Sequence, residues 1–252
     1  MPGIDKTAVA AAFGRAARHY DQYAELQRHS GDALFARLSQ RRASRVLDAG
    51  CGTGWYSRVW QARGSQVWAL DLCPEMLAIG RQTAAASRYI QADIESIPLA
   101  NGSVDLAWSN LAVQWCSDIQ RALAELYRVT KPGGCIAFTT LAEGSLHELH
   151  TAWQGVDKRQ VINTFLSEDK IAEGCKSWRT RLQSQTITQL FPDVLSAMRS
   201  LKGVGATHLH QGRHSGLTTR RHIQQLSQAW PQQAGQYPLS WQIVSGVIER
   251  DS

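Results

Sequence analysis

Short apolar runs alternate with helical patterns over residues 44–141. The runs predict five strands, which lie in the segments SRVLDAG, QVWALDL, RYIQADI, SVDLAWSN and CIAFTTL. Amphipathic stretches separate them, and the last stretch, IQRALAELYRV, ends near a Pro-Gly-Gly turn. Strands that alternate with helices at this spacing predict a parallel, doubly wound sheet of the α/β class.

The two flanks of this core follow other patterns. Before the core, apolar residues fall near helical spacing, and after it helical segments alternate with two apolar strands. We therefore expect one domain, residues 1–252, with a mostly parallel seven-stranded Rossmann-like sheet. Its expected parts are an N-terminal helical arm (1–43), the core (44–141), cap helices (142–177 and 192–238) and closing strands (178–191 and 239–250).

The composition argues against several classes of protein. No apolar run approaches the ~20 residues that a membrane span needs, and the N-terminus lacks the layout of a signal peptide. Five cysteines without a C-x-x-C pair argue against a disulfide or zinc framework. We expect a soluble, cytoplasmic protein that does not bind membranes.

Two histidine-rich stretches are candidate metal sites. The segment HELH, at 147–150, lacks the i, i+4 spacing of a zinc-binding helix. His208, His210 and His214 have no acidic or cysteine companions nearby, so a polar surface loop is the favoured interpretation. The sequence therefore predicts no metal.

The net charge of +6 is unevenly distributed. The core is nearly neutral, so the positive excess falls on the arm and on the C-terminal part of the chain. An acid-free stretch between Arg199 and His222 holds Arg199, Lys202, Arg213, Arg220 and Arg221. This distribution predicts that an acidic partner docks near the two ends of the chain.

The glycine loop after the first strand has the spacing G-x-G-x-G. A dinucleotide fingerprint needs G-x-G-x-x-G, and the position of its third glycine is taken by Trp55. Asp48 also precedes the loop, and a carboxylate there would repel a pyrophosphate. The loop therefore favours a ligand that carries a cation, which argues against a dehydrogenase.

An acid stands at the carboxyl end of each of the first three strands, at Asp48, Asp71 and Asp93. In a parallel sheet these ends face one crevice. S-adenosylmethionine fits such a crevice, because it has an ammonium and a sulfonium but no phosphate. Asp48 would meet the ammonium, Asp71 the ribose hydroxyls and Asp93 the adenine amino group. Ile94 and Met76 would cover the adenine faces.

Four ordered segments resemble the successive motifs of class I, S-adenosylmethionine-dependent methyltransferases. They are VLDAGCGTGWYSR, VWALDLCPEML, YIQADIESIPLANGSVDLAWSNLAVQW and LAELYRVTKPGGCIAFTTL. The resemblance implies cofactor contacts at Asp48, Gly50, Cys51, Gly52, Asp71, Leu72, Asp93, Ile94 and Asn110. Asn110 ends the fourth strand, where it would lie near the transferred methyl group.

The flanking segments resemble the malonyl-[acyl-carrier protein] O-methyltransferase family of biotin synthesis. AFGRAARHYDQYAELQ, GSLHELHTAW and LKGVGATHLH carry much of this resemblance, and Thr53 stands where relatives carry proline. It implies methylation of the free carboxylate of malonyl-acyl carrier protein, with S-adenosylhomocysteine as the other product. The acidic carrier protein would then be the partner that the basic residues attract.

A carboxylate acceptor needs no general base, because carboxylic acids with a pKa of ~4 are already ionised at neutral pH. Tyr20 is a candidate gate over the cofactor, and Gln27 a further cofactor contact. Trp115 is a candidate lining of the acyl tunnel. A packed core aromatic is an equally good interpretation of Tyr20, and nearly as good for Trp115. His19 is assigned a structural or docking role.

Two rival functions stay open at this point. The same fold could methylate a quinone-type or other small molecule, in which case the basic ends would be incidental. Binding to nucleic acid is disfavoured, because the chain lacks a basic stripe with interleaved aromatics. It also has SNLA after the fourth strand, where base methyltransferases carry N-P-P-Y.

Overall fold

The structure is a computed structural model that describes residues 4–156, 164–204 and 220–251. Seven strands of the described residues form one sheet in the order β3-β2-β1-β4-β5-β7-β6. They are β1 (Arg45–Ala49), β2 (Gln66–Asp71), β3 (Arg88–Gln91), β4 (Val104–Asn110), β5 (Thr130–Leu141), β6 (Thr180–Phe191) and β7 (Tyr237–Glu249). β1 to β5 are parallel, and β7 is antiparallel to both β5 and β6. The predicted fold class is confirmed.

The sheet is buried because its central strands are apolar on both faces. Trp108 of β4, Phe138 of β5 and Leu47 of β1 are completely buried. Helices α4 (Trp55–Ala62), α5 (Pro74–Gln82) and α6 (Ile119–Val129) connect the parallel strands. In α6 the apolar positions Leu123 and Leu126 face the core, which is the pattern that predicted a helix here.

The N-terminal arm is not continuously helical between residues 6 and 39. It contains α1 (Lys6–Ala16), α2 (Tyr20–Tyr23) and α3 (Glu25–Ala36). The chain leaves helical geometry at His19 (φ −117°, ψ 0°) and Ala24 (φ −83°, ψ 32°). These breaks let α1 pack against α5 while α3 packs against β4 and β5. A second helical stretch is predicted from about Ala24, but the break at His19 is not, because the residues around it tolerate a helix.

The remaining described helices pack in two places. α7 (His147–Val156), α9 (Val194–Gly203) and α10 (Arg220–Ala229) share an apolar cluster with β7 that contains Trp153, Leu201 and Trp230. By contrast, α8 (Glu168–Cys175) packs on α6 and adds Ile171 and Cys175 to the main core. None of the described helices is long and apolar enough to cross a membrane.

Candidate active site

The glycine loop between β1 and α4 is bent by three residues with left-handed backbones. Gly50, Gly52 and Gly54 have φ angles of +76°, +55° and +85°, a region that side chains disfavour. A Cβ at Gly50 would also lie 2.3 Å from the Cβ of Ala112. The amides of Gly50 and Cys51 donate to the carbonyl of Leu70 at 2.7 and 3.0 Å, which fixes the loop to the end of β2.

Two adjoining cavities lie at this carboxyl edge of the sheet. The one lined by α1, here the α1 cavity, includes the predicted residues Tyr20, Gly50, Gly52, Asp71, Leu72, Met76, Asp93, Ile94, Asn110 and Trp115. The one lined by α3, here the α3 cavity, adds Gln27, Asp48 and Cys51 and shares Tyr20, Gly50, Gly52 and Asn110. The structure thus brings together every residue predicted to bind the cofactor or to act in catalysis, while the role of each stays a prediction.

Asp48 is a carboxyl group in an unfavourable environment for charge. Its side chain is buried, and the Oγ of Ser57 donates to its Oδ2 at 2.6 Å. Burial raises the pKa of Asp48 to about 7, although the hydrogen bond from Ser57 opposes this shift. A cation placed beside Asp48 would therefore offset the free-energy cost of burying its charged carboxylate.

Asp71 ends β2 and is tied to the backbone on both sides. Its Oδ2 accepts from the amide of Gly52 and its Oδ1 from the amide of Cys73, each at 2.8 Å. Burial raises the pKa of Asp71, while these amides oppose the shift. Asp71 therefore has a structural role in addition to the predicted contact with ribose, and the sequence did not indicate this role.

Asp93 has a partner that the sequence did not predict. The ammonium of Lys6, from the first turn of α1, donates to Asp93 and to the buried Glu95. Partial burial alone would lower the pKa of Lys6, but these two carboxylates raise it. Asp93, Glu95 and Cys116 lie close enough together to hold a metal ion, but the Lys6 ammonium already pairs with both acids.

Aromatic rings cover the α1 cavity. Phe13 of α1 lies 6.4 Å from the ring of Tyr20 and 5.5 Å from the ring of Trp115, between centroids. Burial, together with the charges of Asp71 and Asp21, raises the pKa of Tyr20, so its hydroxyl stays protonated at neutral pH. Phe13, like Lys6, Val9 and Ala10, lines the cavity from α1 and was missed. The helical spacing of apolar residues in α1 indicated a buried face, but this spacing does not reveal which part of the protein the face covers.

Asn110 is held rigidly at the end of β4. Its Oδ1 accepts from the hydroxyls of Ser30 and Thr139, both at 2.8 Å, and its Nδ2 donates to the carbonyl of Gln27 at 2.9 Å. These bonds join α3, β4 and β5 beneath both cavities. The geometry fits a positioning role, because the polar atoms of the amide already have partners.

The predicted docking residues are only partly described. Arg199 and Lys202 are exposed on α9, and Arg221 is exposed on α10. Arg220 begins α10, while Arg213 lies outside the described residues. Three large apolar side chains near α9 are also exposed: Leu195 (44%), Leu190 (43%) and Tyr23 (37%). Tyr23 packs against Gly203 at the end of α9, so α9 contacts the short helix that contains Tyr20.

Much of the positive charge of the arm is not near the crevice. Arg37 donates to Ser245 and to the carbonyl of Arg181, and Arg41 pairs with Glu249 at 2.6 Å. Arg41 and Arg42 precede β1, so they lie at the opposite edge of the sheet. Arg37 and Arg41 therefore have partners within the chain, on β6 and β7, while docking of an acidic partner near the two ends of the chain stays a prediction.

Comparisons with known proteins agree with this geometry. A family model described as "Methyltransferase domain" matches residues 47–138. The chain is 56% identical to a malonyl-[acyl-carrier protein] O-methyltransferase of Enterobacter lignolyticus and 55% identical to that of Salmonella typhimurium, covering 100% of both chains in each case. Among solved structures, a Bacillus halodurans protein provisionally described as a methyltransferase is similar, with a TM-score of 0.62 and 16% identity. That match covers 86% of this chain and 98% of the other, and it supports the fold alone.

Proposed function

The chain belongs to the malonyl-[acyl-carrier protein] O-methyltransferase family, and from this premise we propose that it methylates the free carboxylate of malonyl-acyl carrier protein. The methyl donor is S-adenosylmethionine, and the products are S-adenosylhomocysteine and the malonyl methyl ester. The ester hides a charged end of the acyl chain, so that the chain can be elongated toward the pimeloyl precursor of biotin.

The observation that carries this proposal is the row of acids along the crevice. Asp48, Asp71 and Asp93 line two joined cavities at the ends of successive strands or just beyond them. Such a lining suits a donor with an ammonium, a sulfonium and a ribose, and it disfavours a phosphate. Met76 and Ile94 add apolar surface in the α1 cavity for the adenine ring.

The donor supplies a methyl group on a positively charged sulfur. The crevice has to place a carboxylate oxygen in line with that methyl group, and orientation of this kind is worth up to ~7–11 kcal/mol. Asn110 fixes the end of β4 beneath the site, while Phe13, Tyr20 and Trp115 exclude water from above. Shielding from water favours this reaction further, because the negative acceptor and the positive donor neutralise each other in the transition state.

No group in the crevice needs to remove a proton from the acceptor. The malonyl carboxylate is ionised at neutral pH, and the raised pKa of Tyr20 keeps its hydroxyl from acting as a base. His19 is exposed and does not line either cavity. A carboxylate acceptor fits this arrangement because, unlike a hydroxyl acceptor, it has no proton to lose.

The outer face of α9 is proposed to dock the carrier protein. Leu195, Arg199 and Lys202 are spaced by four and three residues, so they lie along one face of the helix. Exposed arginine and lysine around an exposed leucine suit an acidic, amphipathic partner. The contact between α9 and α2 places this face beside the covering of the crevice.

Transfer of labelled methyl groups to a panel of acceptors tests the acceptor class. We expect label in malonyl-acyl carrier protein that mild base releases, and none in acetyl-acyl carrier protein, which lacks the free carboxylate. A small quinol serves as the competing acceptor. Label in the quinol but not in the malonyl carrier would replace this proposal by the small-molecule alternative.

A further inference from the structure

A third cavity lies at the amino ends of β1 and β2, on the edge of the sheet opposite the crevice, and is called the amino-edge cavity here. Its volume of about 360 Å³ is within the ~300–1,000 Å³ that small-molecule sites have. The segments after α3 and after α4 form its walls, through Arg41, Arg42, Ala43, Ser44, Trp60, Arg63, Gly64 and Ser65. The proposed methyl transfer does not use this cavity.

The described residues that line the amino-edge cavity include three arginines and no acid. Arg42 is exposed, and its side chain makes no hydrogen bond or ion pair with a described residue. Arg41 pairs through its Nη2 with Glu249, but Glu249 is shared with Arg181, so the positive charge is not cancelled. Positive groups that converge on one cavity repel one another, and an anion bound between them would relieve this repulsion.

Arg63 is held in position before any ligand binds. Its guanidinium lies 5.0 Å from the ring centroid of Phe35 and 5.6 Å from that of Trp60. Its Nη2 donates to the carbonyl of Ser39 at 2.7 Å. The Nε and Nη1 of Arg63 have no acceptor among the described residues. An arginine that is already ordered loses little conformational entropy when it binds a ligand.

A buried donor without a partner belongs to the wall of the same cavity. Trp60 is only 1% exposed, and its indole Nε1 makes no hydrogen bond with any described residue. A buried N–H group without an acceptor is unfavourable. An anion oxygen that reaches this group would supply the missing acceptor, so Trp60 favours the same kind of ligand as the arginines.

The two segments that frame the cavity are joined to each other. The Oγ of Ser65 donates to the carbonyl of Ala43 at 2.7 Å, and the amide of Gln66 donates to the carbonyl of Ser44 at 2.8 Å. The arginines therefore stand on a fixed frame. A preformed site of this kind binds a ligand without first having to order the chain.

We propose that the amino-edge cavity is a second binding site, for a small molecule that carries two or more phosphoryl groups. Arginine suits this ligand because its planar fork donates two parallel hydrogen bonds to phosphate oxygens. Three arginines match more negative charge than one phosphate carries, and the volume admits a ligand larger than one phosphate. The site goes beyond the proposed function, because it lies at the opposite edge of the sheet from the crevice.

Calorimetry with pyrophosphate, in the absence of divalent cations, tests the site. The wild type should bind pyrophosphate, and it should bind inorganic phosphate at least about tenfold more weakly. Arg63→Gln should weaken pyrophosphate binding about 10- to 100-fold, as expected for loss of a charged hydrogen-bonded pair. The proposal would be overturned if the wild type did not bind pyrophosphate, if phosphate bound as tightly, or if Arg63→Gln had no effect.

ADP distinguishes two sources of the phosphoryl groups. Tighter binding of ADP than of pyrophosphate would identify a nucleotide, because the nucleoside would add contacts of its own. Weaker binding of ADP would identify free pyrophosphate. In either case Arg63→Gln should weaken the tighter ligand, since both sources offer the same phosphoryl groups to the arginines.

Arg88→Gln is the matched control. Arg88 is exposed, begins β3 at the same edge of the sheet, and lies 5.3 Å from the ring centroid of Trp68, but it does not line the cavity. This variant should bind pyrophosphate like the wild type. Equal weakening by Arg88→Gln and Arg63→Gln would show a general attraction by surface charge, and the assignment of a site would fail.

Hydrogen exchange of the wild type locates the ligand without a variant, in case Arg63→Gln does not fold. Pyrophosphate should slow amide exchange in residues 41–44 and 63–65 and leave the glycine loop, residues 50–54, unchanged. Slower exchange in the glycine loop alone would place the ligand in the crevice and overturn the proposal.

Discussion

The crevice and the outer face of α9 both carry charged residues, but those of the crevice are buried and hydrogen-bonded, whereas those of α9 are exposed. In the crevice, Asp48 and Asp71 are fixed by Ser57 and by backbone amides, and burial raises the pKa of each carboxyl group. On α9, Arg199 and Lys202 are exposed. The crevice holds its charged groups in a fixed geometry, whereas the α9 face offers charge without a fixed geometry.

This difference determines how each region responds to mutation. A buried group with fixed partners has a large individual effect, because its loss leaves other groups unsatisfied. Salt screens exposed charges over ~8–10 Å, so each contributes little to the free energy of binding. Such charges act mainly on the rate at which the two proteins meet. Single substitutions should therefore be decisive in the crevice, and only combined substitutions should be measurable on α9.

The largest effect is expected from Asp71→Ala. Each proposed hydrogen bond from a ribose hydroxyl to this carboxylate is worth about 1.5–3 kcal/mol, so the affinity for S-adenosylmethionine should fall roughly 100-fold or more. The variant should also be less stable, because the amides of Gly52 and Cys73 lose their acceptor. Calorimetry and thermal unfolding measure the two effects. Unchanged affinity would remove Asp71 from the cofactor site.

Asp48→Asn should stabilise the folded protein and weaken its binding of S-adenosylmethionine. The folded-state pKa of Asp48 is raised to about 7 from 3.8, so the folded protein holds this proton more tightly than the unfolded chain. Its contribution to the free energy of unfolding is therefore lost as the pH rises from about 4 to about 7. Above pH 7, Asp48→Asn should be more stable than the wild type by up to about 4 kcal/mol.

The same variant should bind S-adenosylmethionine more weakly, since the amide cannot pair with the ammonium. Wild-type affinity should rise with pH up to about 7, because the cationic donor binds the ionised form of Asp48. Denaturant unfolding and calorimetry at several pH values check both statements. Lower stability of Asp48→Asn at about pH 8 would mean that Asp48 is not a strained acid.

A smaller effect is expected from Lys6→Met, which removes the contact between α1 and the acids Asp93 and Glu95. The loss of stability should be about 1 kcal/mol, since Lys6 is partly exposed. Hydrogen exchange in residues 6–16 should nevertheless become faster. Lys170→Met is the control, because Lys170 is an exposed lysine of α8 without a side-chain partner among the described residues. Identical exchange in both variants would show that Lys6 does not hold α1.

Charge reversal on α9 should have a modest, salt-sensitive effect. The double variant Arg199→Glu, Lys202→Glu should raise the KM for malonyl-acyl carrier protein severalfold and leave the affinity for S-adenosylmethionine unchanged. Malonyl-coenzyme A, which is much smaller, should be affected less. The wild-type KM for the carrier protein should rise with salt, because screening weakens the attraction.

Arg42→Glu is the control for this variant, since Arg42 is an exposed arginine at the opposite edge of the sheet. It should leave the kinetics with both thioesters unchanged. An equal effect of the α9 reversal on carrier protein and coenzyme A would place Arg199 and Lys202 at the mouth of the crevice. Docking of a protein on α9 would then be ruled out as their function.

The smallest effect is expected from His19→Ala. His19 is exposed and lines neither cavity, and the carboxylate acceptor has no proton to lose. Single-turnover rates at saturating substrates should therefore stay close to those of the wild type. A loss of several orders of magnitude, with binding intact, would show that the reaction needs a base.

The acids of the crevice could be predicted to lie together because the carboxyl ends of parallel strands meet at one edge. That rule brings Asp48, Asp71 and Asp93 together from local strand patterns alone. Lys6 and Phe13 could not be found in this way, since their position depends on the path of α1 across the crevice. That path is set by the breaks at His19 and Ala24, which local helix propensity does not reveal.

The charges outside the crevice show the limit of sequence patterns most clearly. Arg41 and Arg199 look alike in a count of basic residues, but Arg41 pairs with Glu249 across the sheet while Arg199 is exposed on α9. Only tertiary structure separates an arginine with a fixed internal partner from one that is free to attract another protein.

The central claim is that the crevice methylates an ionised, carrier-bound carboxylate without a base. Intact-mass analysis of malonyl-acyl carrier protein in single turnover, from about pH 6 to about pH 9 with saturating S-adenosylmethionine, tests it most directly. We expect one added methyl group on the malonyl carboxylate and a rate that is nearly independent of pH. No gain in mass on the carrier protein, or a rate that rises about tenfold per pH unit, would contradict it.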